Sequence, residues 1–329
     1  MTTSPFPSLE DVLPEIRTLI EGAQHIGCLA HKDADADSLG SSLAFALSLR
    51  EWGKKVHPLV PDPMPRLIEY LPGFATVETD APPLDVLFTF DCATLGRFGE
   101  RRSLVEQTPR VVNVDHHISN EGFGDVHLID PTASATGQVV YRLLRALGAP
   151  IPADAATNLY AALFTDTGGF RHENTTEETL RLGADLVALG ANPGWVALHS
   201  YKWRSVSQVK LEGMAISRIR SEHDGQLVWS EITQDMLREA GADMQEAEGV
   251  IDQLQSIAPM KIALLFKEHT EAVTKLSVRT RDEYDATTLC TPFGGGGHYR
   301  AAGAEIRERL SVAQERALNI ARAQLSTRP

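Results

Sequence analysis

The chain has 329 residues, 43% of them hydrophobic, and a formal net charge of -13 at pH 7. That length can supply two cores, and the acidic balance argues against a surface that tracks long nucleic acid, which is held through Lys and Arg on phosphates. Cys28, Cys92 and Cys290 are odd in number and lack CxxC spacing, which favours neither a disulfide framework nor a thiolate zinc site and suggests a reducing compartment.

The amino terminus has no basic segment ahead of an apolar one, and no stretch approaches the ~20 apolar residues that span a bilayer, so a soluble cytoplasmic protein without membrane contact is expected. Ser8 three residues before Asp11, with Leu13, Ile16 and Ile20 on one face, predicts a capped helix over 8–23; Pro14 suits a first turn and argues for a later start. An apolar strand over 26–30 runs into HKDADADSLGS, after which Leu39, Leu43 and Leu47 mark a helix. Short strands are predicted over 56–60, over 84–90 ending in Asp91, and over 111–114 ending in Asp115. Helices follow over 134–147, 153–163 and 176–189, the last stopped by Gly190 and Asn192-Pro193-Gly194.

Apolar strands interleaved with helices imply a parallel sheet covered on both faces, with polar residues gathered at the strands' carboxyl ends. The moderately polar helical stretch 196–220 suits a connector. A second unit then offers a strand over 227–231, a helix near 245–257, strands over 262–266 and 273–280, and a glycine-rich loop at 294–297. The expected fold class is α/β: a parallel-sheet domain (1–190), a helical linker (191–222) and a smaller α/β domain (223–329).

In HKDADADSLGS, His31, Asp35 and Asp37 lie between a strand and a helix, where side chains two or four residues apart can converge. Carboxylates with an imidazole suit Mn2+ or Mg2+. Helix capping would account for Asp35 or Asp37 but not for His31. Asp91 and Asp115-His116-His117 each close an apolar strand, and Asp166 ends a helix before Gly168-Gly169. A turn residue, two surface histidines or a helix stop would explain each one alone; their shared position at element ends is what argues for one divalent-metal site.

The order HxxxDxD, strand Asp, DHH and DTGG resembles the DHH phosphoesterase superfamily, and GGGGHYRAAG resembles the signature of its DHH-associated C-terminal domain, so the likeness covers nearly the whole chain. The compact size is similar to that of stand-alone members that degrade very short oligoribonucleotides and dephosphorylate pAp, adenosine 3′,5′-bisphosphate. The resemblance implies one metal on His31, Asp35 and Asp91 and a second on Asp37, Asp91, His116 and Asp166, with Mn2+ as the expected ion and Mg2+ as its alternative. It also implies that Asp115 orients a neighbouring histidine and that His117 meets the scissile phosphate or the leaving group. Ala34 departs from the Pro that many relatives carry, at a position that ligates nothing.

Gly294, Gly295, Gly296 and Gly297, followed by His298 and Arg300, can form an anion-binding nest with charge-assisted donors, against the alternative of a flexible linker. Lys275, Ser277 and Arg279 share one strand face, and the resemblance implies that Ser277 and Arg279 hold a substrate's far phosphate or sugar. Arg97 and Arg171 either steady the substrate or pair on the surface. The remaining histidines read as surface or core groups, except His172, whose role stays open, and the four tryptophans show no interleaving of aromatic and basic residues that would make a stacking platform. The expected partners are short RNA oligonucleotides or small nucleotides rather than long duplexes, and a homodimer is compatible with this reading. The rivals are a cyclic dinucleotide phosphodiesterase, a RecJ-like single-stranded DNA exonuclease, a pyrophosphatase and a non-catalytic nucleotide sensor, separated from one another by turnover on a panel of such substrates.

Overall fold

The computed structural model describes residues 6–62, 64, 66–247 and 249–326, which separate into two compact units, Met1–Trp203 and Arg204–Pro329. In chain order the first unit comprises α1 (Leu9–Gly22), β1 (His25–Leu29), α2 (Ala36–Glu51), β2 (Lys55–Leu59), β3 (Val86–Phe90), α3 (Arg102–Gln107), β4 (Val111–Asp115), β5 (Val126–Ile129), α4 (Thr136–Leu147), α5 (Ala153–Asp166), α6 (Glu177–Ala188) and α7 (Pro193–Tyr201). Its five strands are all parallel, in the order β2-β1-β3-β4-β5, as the continuous apolar runs lead one to expect. The strand order reverses between β1 and β3, so the crevice at their carboxyl ends is the topological switch point where open α/β sheets bind ligands. His31 follows β1 and Asp91 follows β3.

Packing explains which residues are free for that crevice. Helix α2 is buried along nearly its whole length, with Leu39, Leu43 and Phe45 fully enclosed and Phe45 against Phe88 and Phe90 of β3. It is a central helix rather than an amphipathic one, so its polar residues must bond internally. Helix α1 begins at Leu9, not near Pro14. Ser8 accepts from the Asp11 amide, and the Asp11 carboxylate returns a bond to Ser8, so the cap wins, and Pro14 sits inside the helix at the loss of one backbone bond.

The second unit comprises α8 (Val206–Ile216), β6 (Arg220–Glu222), β7 (Leu227–Ile232), α9 (Gln234–Ala240), α10 (Val250–Gln255), β8 (Ile262–Thr270), β9 (Val273–Thr280), α11 (Ala286–Cys290), β10 (Gly296–His298), β11 (Ala301–Ile306) and α12 (Leu310–Ser326). Its mixed sheet runs β10-β11-β9-β8-β7-β6, parallel only between β7 and β8. Part of the glycine run expected as a loop is a strand: Gly296–His298 pairs with Ala301–Gly303. The helix expected near 245–257 is broken into a 3-10 turn, Met244–Ala247, and the shorter α10. The stretch expected as a connector supplies α7 to the first unit and α8 to the second. Among the described residues no helix is long and apolar enough to cross a membrane.

Candidate metal centre

Each acidic or histidine group is aimed by a specific piece of backbone. Asp35 caps α2: its Oδ1 accepts from the amides of Asp37 (3.1 Å) and Ser38 (2.9 Å), while Oδ2 lies 3.9 Å from His31 Nε2. Capping and site membership therefore coexist in one carboxylate, one oxygen serving each. The His31 ring is fixed by its Nδ1 at 2.8 Å from the Lys32 carbonyl, which leaves Nε2 facing Asp91 Oδ2 at 3.5 Å.

Asp91 leaves the sheet in the left-handed region, φ 57°, a conformation that Asp tolerates better than most residues. Its amide still bonds Val114 in β4 at 3.0 Å, so the turn comes immediately after the ladder ends and swings the carboxylate into the crevice. Its Oδ1 receives the Thr136 hydroxyl at 2.9 Å and lies 3.5 Å from both His116 Nε2 and His117 Nδ1. The two oxygens of Asp91 thus face different partners, His31 on one side and His116 on the other.

Asp37 is gripped by the start of α4. Its Oδ2 accepts the Thr136 amide at 2.8 Å, and its Oδ1 accepts the Gly137 amide at 2.9 Å and the Ser41 hydroxyl at 3.2 Å. A helix amino terminus is a natural seat for a carboxylate because its amides lack intrahelical partners. Only glycine fits at 137, where a Cβ would lie 2.6 Å from that of Ala162 in α5. His116 Nε2 lies 3.8 Å from Asp37 Oδ2 and 3.7 Å from Asp166 Oδ2, its ring held by Nδ1 at 3.1 Å from the Ala133 carbonyl.

Two groups of ligand atoms, His31 with Asp35 and Asp91, and Asp37 with Asp91 and His116, each lie within 4.8 Å of one another and share Asp91. Carboxylate oxygens and imidazole nitrogens form the donor set that suits Mn2+ or Mg2+, so the residues present fit a divalent ion. The electrostatics agree. Burial, then the charges of Asp91 and Asp166, push the Asp37 carboxyl well above its ordinary range; burial, then Asp91 and Asp35, does the same to Asp166. Burial opposes the Asp91 charge too, yet His117, His31 and His116 together hold that group well below the carboxylate range. Crowded carboxylates in a dry crevice call for positive charge.

Asp115 lies with Asp91 and His117 in a further group whose ligand atoms fall within 4.8 Å of one another, but its oxygens are spent on donors. Its Oδ1 takes the His116 amide at 2.8 Å and His117 Nδ1 at 2.7 Å, and its Oδ2 takes the Asn120 amide group at 2.5 Å. Asn120 is tied in turn to Asn113 and to the Cys92 carbonyl. Burial works against charge on His117, but the Asp115 hydrogen bond and the charges of Asp91 and Asp115 prevail and lift it to about 10. The Asn113 and Asn120 pair, Thr136 and Gly137 are site residues that the sequence reading missed; a buried polar residue inside an apolar run, as at Asn113, is the signal that could have found the first.

Arg97 reaches His31 itself, with Nη2 at 3.0 Å from Nε2, and Arg171 lies over the Tyr201 ring at 5.3 Å while bonding the Gly168 carbonyl. Neither makes an ion pair among those between described residues. In the second unit, register puts Ser277, Gly303 and Gly296 in one row and Arg279, Ala301 and His298 in the next, all on one face of the sheet. Between Ser277 and Arg279 and the β10 edge that face carries only glycine and alanine, so a ligand can approach the backbone closely. The amides of Gly294 and Gly295 already bond the Thr291 and Cys290 carbonyls, so a nest there would have to use Gly296 and Gly297. Arg300 turns toward the carbonyls of Asp282 and Tyr284 and lies 4.9 Å from the Tyr299 ring. Trp195 and Trp203 are gathered with His199 and Tyr70, an aromatic cluster that the sequence reading did not anticipate.

Comparison with known proteins places this geometry in context. Residues 25–163 match the DHH family, N-terminal domain, and residues 224–327 match the DHHA1 domain. The chain is 31% identical to the bifunctional oligoribonuclease and PAP phosphatase NrnA of Thermus thermophilus, over 96% of this chain and 94% of that one. It is 27% identical to the protein of the same name from Bacillus subtilis, over 84% and 87%. Among solved structures, an exopolyphosphatase-related protein from Bacteroides fragilis shares the fold with a TM-score of 0.87 at 24% identity, over 99% of this chain and 98% of that one.

Proposed function

The chain belongs to the DHH family of phosphoesterases, hydrolases, and from that premise we propose that it cleaves very short oligoribonucleotides to 5′-mononucleotides and removes the 3′-phosphate of pAp. The observation that carries the reading is the division of Asp91, one oxygen toward His31 and the other toward His116. His31, Asp35 and Asp91 would hold one divalent ion and Asp37, Asp91, His116 and Asp166 the other, Mn2+ in preference to Mg2+. When bound, such a pair supplies positive charge against an anionic phosphodiester and acidifies the attacking water.

The chain's own residues do the remaining work. Asp115, anchored by Asn120, keeps Nδ1 of His117 as the donor and stabilises the imidazolium, which can then sit against the scissile phosphate and give a proton to the leaving oxygen. Arg97 and Arg171 steady substrate beside the acidic cluster. In the second unit Ser277, Arg279 and His298, with Gly296 and Gly297 of β10 and Arg300 just beyond it, bind a terminal phosphate or sugar. The same reading places the protein in the cytoplasm, where such fragments arise.

The test is turnover with Mn2+ on a panel of labelled diribonucleotide, pAp, cyclic di-AMP and DNA of increasing length. Wild type should release 5′-mononucleotides from the diribonucleotide and phosphate from pAp, while Asp91→Asn should release neither. Cleavage of DNA or cyclic di-AMP in preference would replace the substrate assignment, and cleavage of nothing on the panel would end it.

A further inference from the structure

Tyr70, Trp195, His199 and Trp203 form an aromatic ladder in the first unit that the chemistry above does not use. Trp195 and His199, four residues apart, share one face of α7, and Trp203 follows just past its end. The His199 ring centroid is 3.9 Å from that of Trp195 and 5.1 Å from that of Trp203, the last two planes lying within 8° of parallel. On another side the Tyr70 ring stacks on His199 at 5.1 Å and 21°.

Three of the four rings are fixed by hydrogen bonds, and Trp203 stacks on one of them. His199 Nδ1 is 2.8 Å from the Trp195 carbonyl, the Trp195 indole donates to the Tyr70 carbonyl at 3.1 Å, and the Tyr70 hydroxyl is 2.9 Å from Ser200 Oγ. Yet Trp203 is 68% exposed and Trp195 43%. The Trp203 indole is thus stacked on His199 while most of its surface is open to water, which leaves an aromatic face free to take a flat partner.

The ladder is linked, within the same unit, to the helix α5 that ends at Asp166. Tyr201, between Ser200 and Lys202, packs on Phe164 at 5.4 Å and lies beneath Arg171, and those two residues flank Asp166 in sequence. Burial, then Tyr201 and Asp35, raise the Tyr70 phenol above its ordinary value against the Ser200 hydrogen bond. Lys202 and Arg171, both exposed, bring positive charge to the two ends of this stretch.

We propose that the Trp203 indole, backed by His199 and Tyr70, is a stacking site for a nucleobase of the oligonucleotide whose phosphate is held at the Asp91 centre. The proposal rests on the phosphoesterase reading of that centre. A nucleobase is a flat π-surface carried on an anion, which matches a flat indole beside cations, and stacking tolerates every base because each has a π-face.

The test compares wild type, Trp203→Ala and Trp203→Phe on a diribonucleotide and on its counterpart lacking one base, with Mn2+. Removing the base should raise KM about tenfold in wild type and in Trp203→Phe, the order expected for one base on one aromatic ring, and leave KM of Trp203→Ala where it stands. An equal KM penalty in all three proteins overturns the stacking site, and so does an unchanged KM in Trp203→Ala on the full substrate. If wild type turns over neither substrate, the phosphoesterase reading fails, and stacking is then decided by tryptophan fluorescence in metal-free buffer. Quenching by the diribonucleotide that is lost in Trp203→Phe supports the site, and absence of quenching overturns it. The same fluorescence measurement decides the matter if Trp203→Ala does not fold.

Discussion

At the scale of single residues, the centre depends on side chains that never meet the substrate. Asp115 has no exposed surface and spends both oxygens on donors, so the orientation of His117 is set one step further out, by Asn120. Asn120→Ala removes the 2.5 Å bond to Asp115 Oδ2 and leaves a buried carboxylate oxygen without that donor. The expected cost is about 1–3 kcal/mol in stability. Turnover should fall roughly 10- to 100-fold, the usual range when a partner outside the ligand shell is lost. Steady-state kinetics beside a denaturant melt measure both; an unimpaired kcat would show that His117 needs no such anchor. Asp91 is a different case, since Asn fits the same left-handed turn and the same space. Asp91→Asn should therefore fold, and its loss of turnover would report on charge rather than shape.

At the scale of elements, the amino terminus of α4 is the clamp on Asp37, and its position depends on the absence of a side chain at Gly137. Gly137→Ala would force α4 and α5 apart, costing about 1–3 kcal/mol as overpacking does. It should also weaken Mn2+ binding by drawing two amides away from Asp37, which calorimetric titration of Mn2+ would detect as a weaker Kd beside an unchanged Asp35 site. None of this clamp was legible beforehand, because its bonds join residues 99 and 100 positions apart and Ser134-Ala135-Thr136-Gly137 carries no acid or histidine to attract notice. The ligands themselves were legible, since His31, Asp91 and Asp115 each break an apolar run at the point where a parallel strand ends. Helix α12 was missed for a physical reason: its buried stripe is Ala313, Ala317, Ala321 and Leu325, small residues whose fourfold spacing gives little hydrophobic contrast. Strand β5 is only Val126–Ile129, too short for its period to stand out. The β10 edge was read as an anion-binding loop rather than a strand because a glycine run has no apolar period; here Gly297 is required by close strand pairing, its would-be Cβ lying 2.6 Å from the Ala301 carbonyl oxygen.

At the scale of the whole molecule, the six candidate ligands all belong to the first unit, and each unit has its own buried core on both faces of its own sheet. An ion that binds the folded first unit stabilises it by mass action, by about 2.7 kcal/mol at a hundred times Kd. For a unit of this size that corresponds to roughly 2–4 °C in Tm for each kcal/mol. Scanning calorimetry should therefore resolve a transition that Mn2+ raises by several degrees and a chelator returns, and a second that neither moves. In Asp91→Asn the first transition should no longer respond, because that variant removes the carboxylate common to both ligand groups. In Arg279→Ala it should respond as in wild type, since Arg279 belongs to the second unit. A metal response carried by both transitions, or by the second alone, would place the binding groups outside the crevice at the ends of β1, β3 and β4.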